Sequence, residues 1–233
     1  MVILGYVHTQ QRKGGKGLKK AIFLLIMIMM IVVLFGCDNK KEEQPTDWEK
    51  QDLQGFKAIL KDSVRKERIK MLSTQIDAFQ DITPENVFKE TGCQIFKSKE
   101  TCESYLLYDG NLYTLGEGFG GFGIVDLETS DFDGNGEKEL LYTYSWGSGM
   151  HRSCLGYFDL SKQCEADIDI SAAKTLGFIQ QELILHKISN TKFKVYKANP
   201  TMENEDFTKI SLKKDMLLGE IKAVENKPTL VLR

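Results

Sequence analysis

The stretch D131-F-D-G-N-G-E-K-E-L-L-Y-T-Y-S-W-G-S-G149 joins two textures in nineteen residues. Its first half sets Asp131, Asp133, Asn135, Glu137 and Glu139 at every second position, with Gly136 among them. Oxygens spaced this way in a tight loop can be aimed at one centre, and a glycine permits the bend that brings them round. Hard oxygen donors suit calcium rather than zinc. An EF-hand would need a bidentate Glu at the twelfth position, which is Tyr142, so that motif is excluded. The second half, Glu139 to Tyr144, is rich in β-branched, aromatic and aliphatic residues and reads as a strand leaving the loop.

Working outward from this hairpin, the chain from Cys93 onward reads as strands. Tyr105 to Tyr108 and Leu112 to Leu115 flank Asp109-Gly110-Asn111, a hairpin turn signal. Gly123 to Leu127 precedes the acidic loop and Leu155 to Leu160 follows it. Leu176 to Ile188 and Phe193 to Tyr196 form another pair around Ser189-Asn190, and Gly219 to Arg233 reads as a last hairpin turning near Glu225 to Pro228. Upstream the periodicity is helical. Leu53, Phe56, Leu60, Val64, Ile69, Leu72, Ile76 and Phe79 recur at steps near three and four, which predicts one long amphipathic helix, whole or broken, from about 47 to 80, with Thr46 and Glu49 as a capping box. A short second helix is predicted with Thr83 as cap, Pro84 in its first turn and Gly92 at its end. Helices first and strands after predict an α+β fold with a mainly antiparallel sheet.

The hairpin also resembles the calcium loops of FG-GAP repeats. Phe122-Gly123 stands just upstream, a strand runs out of the loop from Glu139, and Gly147 and Gly149 precede another strand. The resemblance covers residues 120 to 160 and occurs once, whereas a propeller needs typically 4 to 8 blades. It therefore implies one calcium hairpin set inside another fold. In that resemblance Asp131, Asp133, Asn135 and Glu139 ligate by side chain and Glu137 by its carbonyl, and the ion fixes the turn rather than doing chemistry.

The N-terminus is an address. Two lysines, Lys19 and Lys20, precede fifteen uninterrupted apolar residues, Ala21 to Phe35. A spanning helix needs roughly 20, so the run suits a secretory signal, residues 1–36. It ends in Leu34-Phe35-Gly36-Cys37, which resembles a bacterial lipobox. That resemblance implies cleavage before Cys37, a diacylglycerol on its sulfur, and anchoring to the outer face of the plasma membrane; Asp38 resembles an inner-membrane retention signal. Residues 37–46 are polar, cannot build a core and read as a tether. Residues 47–233 then form one extracytoplasmic domain. Lys13-Gly14-Gly15 can be encoded as a ribosome-binding site and Leu18 as a TTG start codon, so we expect translation to begin at 18. The first 36 residues hold five basic residues and no acid; without them 26 basic face 33 acidic residues. An acidic body argues against nucleic acid as a partner.

Three rival motifs remain. Gly116 to Gly121 formally fits GxGxxG, but a strand follows instead of a helix, so the glycines are assigned to bulges or close backbone approach. Ser145 to Arg152 lacks the GxSxG elbow; Trp146, His151 and Arg152 make it a candidate ligand or partner contact. Cys93, Cys102, Cys154 and Cys164 predict two disulfides in an oxidising compartment, with Cys93–Cys102 and Cys154–Cys164 favoured by spacing and zinc as the alternative. The functional expectation is a non-enzymatic lipoprotein binding module bearing a structural calcium. The alternatives are an anchored envelope hydrolase and a protective lipoprotein such as a phage-exclusion factor.

Overall fold

The structure, a computed structural model, describes residues 49–233 except 72, 74, 117–119, 150–151, 167, 169–180, 202–210 and 226. The signal segment, Cys37, the tether and Thr46 lie outside the described residues. No helix among those described is long and apolar enough to cross a membrane.

The first helix, α1, spans Leu53–Arg65. Asp52 caps it by accepting the Gly55 amide at 2.7 Å, which satisfies one of the donors a helix start leaves open. The helix is much shorter than the expected 47 to 80. The Lys66 and Glu67 amides turn back onto the Asp62 and Val64 carbonyls, and Glu67 takes a left-handed φ of 54°. Ile69 and Phe79 nevertheless pack with Phe56 and Leu60, as their spacing suggested, but from irregular backbone and a strand. Apolar spacing marks which residues are buried; it does not require one helix to carry them. The second helix, α2, spans Glu85–Thr91 and ends at Gly92, whose φ of 70° and amide bond to Phe88 close it. Pro84 takes the cap position. Thr83 instead accepts the Ile95 amide at 2.8 Å and ties α2 to the sheet behind it.

Among the described residues, twelve strands form three four-stranded antiparallel meanders. Sheet I holds β1 (Phe79–Asp81), β2 (Gln94–Ser98), β3 (Ser104–Tyr108) and β4 (Asn111–Leu115). Sheet II holds β5 (Gly123–Ser130), β6 (Glu139–Trp146), β7 (Arg152–Asp159) and β8 (Cys164–Ala166). Sheet III holds β9 (Glu182–Ser189), β10 (Lys192–Thr201), β11 (Ser211–Val224) and β12 (Lys227–Leu232), with β9 and β12 at its edges. The β3–β4 turn has positive φ at both Asp109 and Gly110, as a two-residue hairpin requires. The α+β expectation holds at this level, with sheet dominating and two short helices among the described residues.

Alternation sorts the side chains into layers. On β3, Tyr105 and Leu107 pack with α1, while Leu106 packs toward sheet II. On β6, Leu140 and Tyr142 face sheet I, and Leu141 faces sheet III together with Tyr157 of β7. Thr143 donates to the Leu183 carbonyl at 2.7 Å, so its hydroxyl also points at sheet III. The order is therefore α1, sheet I, sheet II, sheet III. Sheet II is covered on both faces, and β6 at its centre accordingly carries Leu140, Leu141 and Tyr142 in unbroken succession.

The register excludes both local disulfides. The Cys102 amide bonds the Ser98 carbonyl at one end of the β2–β3 hairpin, and Cys93 precedes Gln94 at the other. Asp159 is the register partner of Cys164, five residues beyond Cys154. Five residues of strand span about 17 Å, while a disulfide needs Cα atoms within about 7 Å. None of the four cysteines is in a disulfide. Burial pushes the Cys93 thiol up to about 12 and raises Cys102 as well, so both act as small apolar groups.

Candidate metal-binding loop

The β5–β6 connection is held from below before its carboxylates are considered. Phe132, between the two aspartates, is buried against Tyr157 at 5.8 Å and Phe193 at 5.6 Å between ring centroids. It plugs the loop into the core between sheets II and III. The Asp131 amide donates to the Asn190 carbonyl at 3.0 Å, which ties the loop to the β9–β10 turn. A single apolar residue amid acids was the sequence signal for this plug, and sequence reasoning passed over it.

Glu139 opens β6 and is 1% exposed. One carboxylate oxygen accepts the Phe132 amide at 3.0 Å and the Ser130 hydroxyl at 3.3 Å, and Tyr157 donates to the same carboxylate. Burial raises its pKa, and nearby Asp133 adds to the rise, against the hydrogen bonds that lower it. Such a group gains from a cation beside it. Asp131, half-buried, and Asp133, exposed, are the neighbours: one oxygen from each of the three carboxylates lies within 4.8 Å of the others. Gly134 and Gly136 take φ of 70° and 85°, the left-handed values that let the loop curl over this centre.

The remaining expected ligands are engaged in local turns. Asn135 donates through its amide to Asp133 at 3.1 Å and accepts the Glu137 amide at 2.6 Å. Glu137 is exposed. The all-oxygen donor set, one member buried and two lining a curled loop, fits a hard divalent ion in its chemistry. Behind it, Asp159 faces Glu139 across the β6–β7 register and carries Lys162, whose ammonium is also drawn by Asp133.

The other candidate contacts separate. Trp146 and Arg152 are register partners at the far end of β6 and β7, with the guanidinium 4.7 Å from the ring centroid. His151 lies outside the described residues. The glycines before β5 serve close approach. A Cβ on Gly121 would lie 2.5 Å from the Ser145 carbonyl oxygen, and one on Gly123 would lie 2.1 Å from that of Cys102. Beneath them the buried Lys97 ammonium donates to the Phe122 and Ile124 carbonyls at 2.9 and 3.0 Å. This is a structural clasp between sheets I and II, and no helix opens where a dinucleotide loop would need one. No family model, no curated protein and no solved structure matches this chain.

Proposed function

We propose that this chain is a lipid-anchored extracytoplasmic binding module, without catalytic activity of its own, whose β5–β6 loop holds a structural calcium ion. Asp131, Asp133 and Glu139 would supply side-chain oxygens, with Asn135 and the Glu137 carbonyl completing the shell in the manner of an FG-GAP-like hairpin. The observation that carries the calcium reading is the convergence of those three carboxylates within 4.8 Å on a loop plugged by Phe132. Repulsion among them without an ion, and the burial of Glu139, both favour a bound cation. The anchor rests on the apolar run ending in Leu34-Phe35-Gly36-Cys37.

Two experiments test the two parts. At external calcium of ~1 mM and a Kd near ~10⁻⁴ M, binding stabilises by about 1.4 kcal/mol, a rise in Tm of about 3 to 6 °C for a domain of this size. Asp133→Ala is expected to abolish that rise and to melt in chelator as wild type does, or slightly higher. Magnesium, which demands a tighter octahedral shell, is expected to substitute poorly. A wild-type Tm indifferent to calcium, with no heat of binding at several times external levels, would falsify the metal. For the anchor, cells fed a palmitate analogue should label wild type and leave Cys37→Ala unlabelled; equal labelling rejects it.

A further inference from the structure

We propose that the outer face of sheet III is a docking surface for an anionic phospholipid bilayer. Among the described residues, sheet III buries one face only. Phe193, Val195, Ile221 and Leu230 point into the core, so the residues alternating with them point out. The register sets His186, Lys194, Glu220 and Val231 side by side in one outward row. In the next row Lys192 lies directly opposite Lys222. Like charges facing each other across a strand pair cost stability unless a counter-charge is supplied. Within the face Glu220 supplies one, at 3.0 Å from Lys192. Lys194 and Lys222 have no ion pair of that kind among the described residues, and Lys227 extends the cationic strip along β12. A cationic face on a chain whose body is acidic overall is a local reversal of charge.

Charge alone would suit any polyanion. The choice of a bilayer rests on apolar groups that share the face. Val224 and Val231 are 42% and 40% exposed and stand in the same outward set as Lys222 and Glu220. Ile188 and Met216, 49% and 55% exposed, belong to the same sheet. Lysines interleaved with exposed aliphatics match a membrane interface, where headgroups take the charge and the acyl boundary takes the apolar carbon. A soluble polyanion would leave the valines without a role.

Proximity comes from the anchored reading, on which the proposal rests for that point only. A ten-residue tether spans at most ~35 Å. Gln51 and Lys50, near the start of the described residues, bond Gln94 and Asp81 of sheet I.

The test is amine acylation of the full-length protein mixed with vesicles of phosphatidylcholine alone or with one third phosphatidylglycerol. Lys194 and Lys222 are expected to acylate at least fivefold more slowly on the anionic vesicles, while Lys61 and Lys99 on the sheet I side hold their rate. High salt should erase the difference. Because each lysine near an anionic surface is worth about fivefold in partitioning, K194Q/K222Q is expected to weaken partitioning onto the anionic vesicles about 25-fold, read as loss of the protection of Lys192 and Lys227 on the same face. The variant removes the repulsion of Lys222 by Lys192 and the attraction of Lys194 to Glu220, both on an exposed face, so its melting temperature should stay close to that of wild type. Equal rates on both vesicle types, or slowing of all lysines alike, overturn the proposal. So does protection by inorganic polyphosphate on neutral vesicles with none from phosphatidylglycerol, which would mark a soluble polyanion instead. Flotation with neutral vesicles reads the anchor separately: a chain that fails to float there refutes the anchor and leaves the comparison on anionic vesicles readable.

Discussion

Sheets II and III have the same construction, four antiparallel strands in simple succession, and opposite surroundings. Sheet II is pressed between two layers, so alternate residues of β6 go to different cores: Leu140 and Tyr142 to one, Leu141 to the other. Among the described residues sheet III has one neighbour, and its second face carries Lys192, Lys194, Lys222 and Val231. Topology therefore does not decide what a strand tolerates. What covers each face does, and the two sheets let that be measured within one molecule.

The largest contrast is expected from truncating matched aliphatics. Leu141 is fully buried, and Leu141→Ala should cost about 2 to 5 kcal/mol through lost transfer energy and a residual cavity. Val231→Ala on the open face should stay within about 0.5 kcal/mol. Urea titration of both variants checks this. Similar midpoint shifts for the two would mean that the outer face of sheet III is covered in solution.

A smaller effect is expected where sheet II is tightest. Gly156 lies opposite Tyr142, whose ring crosses it, and a Cβ there would sit 2.0 Å from a ring carbon. The ring cannot step aside, because its hydroxyl is bonded to Glu165. Gly156→Ala should cost about 1 to 3 kcal/mol by overpacking. Its companion variant Tyr142→Leu should recover part of that loss, whereas two independent costs that simply add would show that the ring is not the obstacle.

The smallest effect sits at the joint between the two sheets. Asp126 of β5 accepts the Leu185 amide of β9 at 2.6 Å. Burial raises its pKa above the ordinary carboxylate value, although the Leu185 and Leu127 amides oppose the rise. A carboxyl that binds its proton more tightly when folded favours folding while protonated, and its contribution is lost as pH climbs from the unfolded pKa through the folded one. Asp126→Asn can keep the oxygen that accepts from Leu185, gives up the bond from the Leu127 amide at the other oxygen, and removes the charge. The gap between the variant and wild type should therefore move in the variant's favour as pH rises from the ordinary carboxylate value of 3.8 to 7. A gap independent of pH would show that the side chain acts through packing and not through its charge.

Much of the local structure was written in the residues themselves. Asp109-Gly110 determined a hairpin because both positions must take left-handed φ, and the helix stop at Gly92 follows from the same freedom. The alternate acids from Asp131 to Glu139 marked a loop in which oxygens meet, and the start of β6 at Glu139 was read to the residue. These features depend on contacts a few residues apart, which a sequence displays directly. The end of α1 at Arg65 was not legible, because Ile69 and Phe79 join the same apolar cluster from irregular and strand backbone. Nor did spacing reveal the cysteine geometry: separations of nine and ten residues look short, yet strand register holds each pair apart. Whether a strand is covered once or twice, that Phe132 plugs the acidic loop by meeting Phe193 from another sheet, and that lysines from three strands gather on one open face were decided only by tertiary structure. The physical reason is that burial is a property of two surfaces meeting, and the second surface comes from sequence tens of residues away.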